Sequence, residues 1–82
     1  MIFTKEVDRQ DQITLQLAHI NHLEQVYQTL QEIPTEKKFE KIALEDAIDL
    51  VGIQIEAECG DFVESFGMKI DFNEERNKWE IA

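Results

Sequence analysis

Before Pro34 the apolar residues Ile13, Leu17, Ile20, Leu23, Tyr27 and Leu30 recur at steps of three and four. That period predicts an amphipathic helix from about Lys5 to Ile33, with Thr4 as its N-cap. Pro34, the one proline of the chain, predicts a break inside a tight turn from Glu32 to Thr35. Thr35 then takes an N-cap position, and Leu44, Ile48, Val51, Ile55, Cys59, Phe62 and Phe66 fall on one stripe of a second helix that Gly67 would stop. Within it "GIQIEA", Gly52 to Ala57, also alternates as a strand does, so the pattern leaves residues 48–57 open between helix and strand. A break near Gly52 or Gly60 is compatible with it, since each glycine costs a helix about 1 kcal/mol against alanine.

After Gly67 the period becomes two: Met68, Ile70 and Phe72 alternate with polar residues, as do Trp79 and Ile81. This predicts a β-hairpin with a polar loop over about Asn73 to Asn77. The expected fold class is therefore α+β, two antiparallel α-helices forming a helical hairpin with a C-terminal β-hairpin, in one small acidic domain over residues 1–82. Two strands alone are marginal in water, so the hairpin is expected to lie on the helices or to gain a strand, for which Met1 to Phe3 is available.

Both helices carry more apolar surface than one partner face requires. On the first, the apolar arc is about 200° wide where about 100° suffices. The second has, opposite its main stripe, another set: Phe39, Ile42, Ala43, Leu50 and Ile53. Either a bend folds both sets into one core, or another chain covers the surplus, a second copy included.

Charge narrows the partner. Eighteen acidic against eight basic side chains give a net charge of −10, which repels nucleic-acid phosphates and anionic lipid. No run of about 18 apolar residues occurs, so membrane insertion is not expected, and a single cysteine, Cys59, points to a reducing compartment, the cytoplasm.

The chemistry-bearing residues form no recognisable reaction centre. His19 and His22 stand three apart, where a helical two-histidine metal site usually uses four; at 100° per residue counted from Ile13 they fall at about 240°, inside the apolar arc, and about 180°, at its polar edge, and read as packing or interface-edge residues. Neither Ser65 nor Cys59 sits where a helix start or sharp turn would activate it. "DFNEERNKWEIA" opens like a calcium loop, yet has Arg76 in place of the turn glycine and Ala82 in place of the bidentate glutamate. No phosphate-binding glycine motif occurs. The expectation is a non-enzyme with no cofactor and no metal.

From Ile42 to Met68 there are seven acids and no base, while Lys37, Lys38 and Lys41 crowd the start of the same helix, an order opposed to the helix dipole. Glu45, Asp49, Gly52 and Glu56 fall on one line, with the glycine read as a gap for close approach. The expected function is a regulatory protein, an inhibitor or adaptor, docking on a protein with a basic or apolar surface through an apolar helix face with an acidic rim. The candidate contacts are Leu23, Val26 and Leu30 on the first helix and Glu45, Asp49 and Glu56 on the second. In size and charge alone it is similar to bacteriocin immunity proteins, antitoxins and phage-encoded regulators. The alternatives are a nucleic-acid mimic blocking a DNA- or RNA-binding enzyme, and a metal protein built on the two histidines.

Overall fold

The computed structural model describes residues 9–82. Its elements are α1 (Arg9–Gln31), α2 (Lys38–Phe66), β1 (Ile70–Asn73) and β2 (Lys78–Ile81), two helices followed by an antiparallel β-hairpin. Thr4, the start of the first helix and the strand expected at Met1 to Phe3 lie outside the described residues.

α1 ends at Gln31, two residues before the expected Ile33. The last turn tightens, with the Glu32 and Ile33 amides donating to the Thr29 and Leu30 carbonyls. Ile33 is pushed out of helical geometry because it precedes Pro34. Nor does Thr35 cap α2. The N-cap is Lys37, extended at φ −98° and ψ 143° with no side-chain cap. A Thr35 cap would be reciprocated by an acid or amide three residues on, and that position holds Lys38.

α2 then runs unbroken for 29 residues, so Gly52 and Gly60 interrupt nothing and "GIQIEA" is helical. Tertiary burial overrides its alternation: Ile55 is buried while Ile53, two residues away, is exposed. Gly67 stops the helix as expected. At φ 67° it adopts the left-handed conformation, and its amide donates to the Val63 carbonyl at 2.8 Å. A side chain there costs about 1–2 kcal/mol. Gly67→Ala is accordingly expected to lower the urea midpoint without changing the slope of the transition; an unchanged midpoint contradicts this.

In the hairpin, Ile70 pairs with Ile81 and Phe72 with Trp79, which puts the four apolar side chains on one face. The Phe72 and Trp79 rings meet edge to face at 5.6 Å. The turn is Glu74 to Asn77: the Asn73 Oδ1 accepts the Glu75 and Arg76 amides, and Asn77 takes a positive φ of 57°. Asn73 also donates to Glu80, the main reason its carboxyl sits below the ordinary range, with Arg76 and Lys78 adding to the effect.

The hairpin lies against α1 through β2. Buried Ile13, Ile20, Phe62 and Ile70 form the core, flanked by Leu17, Cys59, Phe66, Met68 and Trp79. This core occupies the end where the start of α1, the end of α2 and the hairpin converge. Toward the Pro34 turn no residue from 21 to 54 is buried. The molecule is correspondingly long and thin, 55 × 32 × 18 Å.

Candidate docking surface

The two apolar sets of α2 stay on opposite sides of a continuous helix, so no bend merges them. The main stripe faces inward, with Ile55 and Phe62 buried and Leu44, Ile48, Val51, Cys59 and Phe66 half-buried. The second set faces outward: Phe39, Ile42, Leu50 and Ile53 are 69%, 50%, 68% and 62% exposed, and Ala43 is exposed with them. Four large apolar side chains in one row are more than scattered surface residues amount to.

Beside this row an open groove of about 520 Å³ runs between the helices, lined by Glu24, Tyr27, Asp49, Gly52, Ile53, Ile55 and Glu56. Three carboxylates and a phenol surround an isoleucine floor, and no base contributes. Glu24 is held rigidly: its Oε1 accepts from the Trp79 indole at 3.1 Å and its Oε2 from the Gln28 amide at 2.9 Å. The hairpin is pinned to α1 at the same place, since the Asn21 side chain exchanges two hydrogen bonds with the Trp79 backbone.

Of the residues named from sequence, Asp49 and Glu56 come together in this groove. Glu45 is exposed on the same helix outside it, and Leu23, Val26 and Leu30 are half-buried in the turn-proximal part of α1. The gap at Gly52 is not left for a partner. A Cβ there would stand 3.4 Å from the Tyr27 ring, so the chain's own tyrosine occupies it. Glu24 and Tyr27 were missed as site residues. The signal was present: at 100° per residue Glu24 falls about 20° from Ile13, a carboxylate set between Ile13 and Leu17 within the apolar arc of α1.

His19 lies further out than its place within the apolar arc implied, while His22 sat at the polar edge of that arc. The His19 side chain is 49% exposed, with Nε2 3.9 Å from Glu58 Oε2, and His22 is exposed. α1 buries only the side that meets α2 and the hairpin, leaving Leu15 in water as well. Glu58 also accepts from Gln16 at 2.6 Å and from Gln54 at 2.8 Å, tying α1 to α2. Among the described residues no three His, Cys, Asp or Glu side chains are grouped to hold a metal ion, and no helix is long and apolar enough to cross a membrane.

Burial pushes the Cys59 thiol upward, and Glu24, Glu56 and Glu58 push it further. The neutral thiol is thus favoured by the fold, and this contribution to stability is lost as pH rises past the ordinary thiol range. Iodoacetamide, which needs the thiolate, is expected to label the folded chain several-fold more slowly than the chain in urea. Equal rates would contradict the assigned environment.

No family model, curated protein or solved structure matches this chain.

Proposed function

We propose that the chain is a non-catalytic regulator, an inhibitor or adaptor, that works by docking on another protein through the outer face of α2 and the carboxylates beside it. One observation carries the reading. The half of the helical hairpin that has no buried residue also bears the exposed row Phe39, Ile42, Leu50 and Ile53. A second macromolecule would complete the burial that this half lacks on its own. Asp49 and Glu56, with Glu45 nearby, form the acidic rim and select for positive charge. The half-buried Leu23, Val26 and Leu30 belong to the same half, with less surface to offer. A reducing compartment such as the cytoplasm suits the free thiol of Cys59.

The test is capture from the native host by the tagged full chain, alongside the double variant Leu50→Glu, Ile53→Glu. Both side chains are exposed, so the variant is expected to keep its circular dichroism spectrum and melting temperature. The captured protein should be retained by the wild type, largely survive high salt and be lost from the variant. Identical capture by both chains rejects the reading. Capture that disappears in salt but ignores the variant points instead to carboxylates acting as phosphate mimics.

A further inference from the structure

Resting on that reading, we propose that the occupant of the outer face of α2 is an amphipathic helix of a basic protein, one of whose Lys or Arg side chains pairs with Asp46 while a neighbouring cation enters the Glu24, Asp49 and Glu56 groove. Phe39, Ala43, Asp46, Leu50, Ile53 and Ala57 follow one another at steps of four, three, four, three and four, all exposed. This is the spacing by which one helix meets another along a seam, sustained over about 27 Å. From Lys41 onward the backbone amides of α2 are spent on its own hydrogen bonds, so a strand finds little to pair with along most of this length, whereas a helix engages side chain to side chain.

Charge then decides between possible helices. Asp46 lies in the middle of the seam, and no cationic side chain among the described residues pairs with it. Covering it without a counter-charge would strand a carboxylate away from water, which is strongly unfavourable. A second copy of this chain would bring another Asp46, another acidic rim and a further net charge of −10 to the same place. A cationic helix meets each requirement. Lys37, Lys38 and Lys41 repel its cations from the start of α2 and so bias them toward Asp46 and beyond. The groove needs no rearrangement, because Trp79 and Gln28 already hold Glu24, and Ile53 belongs to both groove and row.

The probe is a synthetic Leu/Lys amphipathic helix about 18 residues long, matched to the seam. Its control is a scrambled peptide of the same composition. Titrated into the isotopically labelled full chain, the helix is expected to shift the resonances of Phe39, Ile42, Asp46, Leu50 and Ile53, and those of Tyr27 in the groove. Leu50→Gln with Ile53→Gln should weaken binding about tenfold or more, and Asp46→Lys by a comparable factor. Binding of the scrambled peptide as tight as that of the helix, or shifts confined to other surfaces, overturns the inference. So does sedimentation equilibrium showing a dimer that Leu50→Gln converts to monomer, although that outcome leaves the outer face an interface and the docking reading intact. Host capture unaffected by Leu50→Glu and Ile53→Glu sinks the docking reading, and this inference with it.

Discussion

Phe62→Ala is expected to leave the chain largely unfolded at physiological temperature. Phe62 has 0% exposure and lies in a core of only four buried side chains, its ring meeting Phe66 edge to face at 5.0 Å. Truncating a buried phenylalanine costs about 3–5 kcal/mol. A core this small supplies net stability of about the same size. The residues around the cavity come from α1, α2 and β1, so all the main packing loosens together. A thermal melt followed by circular dichroism should lose its cooperative transition, while Phe62→Leu, closer in volume, should keep a lowered one. A Phe62→Ala melt within a few degrees of wild type would show that the core has been assigned to the wrong place.

Trp79→Ala should have the next largest effect, about 2–3 kcal/mol, below the full-burial range because the side chain is only half-buried. Three contacts go at once: the edge-to-face packing on Phe72, the packing against the buried core cluster, and the indole hydrogen bond to Glu24. Trp79→Phe separates them in part, since it keeps a ring on Phe72 while it loses the hydrogen bond and some of the indole's bulk. Urea unfolding should rank wild type above Trp79→Phe and Trp79→Phe above Trp79→Ala. In both variants Glu24 loses one of its two anchors, so the groove should bind the cationic helix more weakly even where the fold persists. Equal stability of Trp79→Phe and Trp79→Ala would mean that the ring contributes no packing, contrary to its place in the core.

The same residues explain how far the sequence could be read. The main stripe of α2 and the two-residue alternation at Ile70, Phe72 and Trp79 report burial directly, because a single face of each element is covered; Ile81, at the end of the hairpin, stays exposed. The outward row of α2 was equally legible, as the same periodicity seen from the other side. On α1 apolar identity did not equal burial: Leu15 and His19 fell within an arc that the two covering elements are too narrow to reach. The groove was hidden for another reason. Tyr27 meets Gly52, and Glu24 meets Trp79, across separations that no local pattern encodes; only the odd placement of a carboxylate on a buried face hinted at them. The start of α2 was misplaced because Thr35 lacks a reciprocal capping partner, and the end of α1 because Ile33 precedes Pro34.

The slender outline of the helical hairpin has a practical consequence for hydrodynamics. Its radius of gyration is 16.0 Å, against about 12 Å for a compact chain of this length. Friction rises with elongation, so a single chain will emerge from a gel-filtration column ahead of spherical standards of equal mass and imitate a pair. Light scattering reads mass without reference to drag, and for one chain it returns 9.6 kDa.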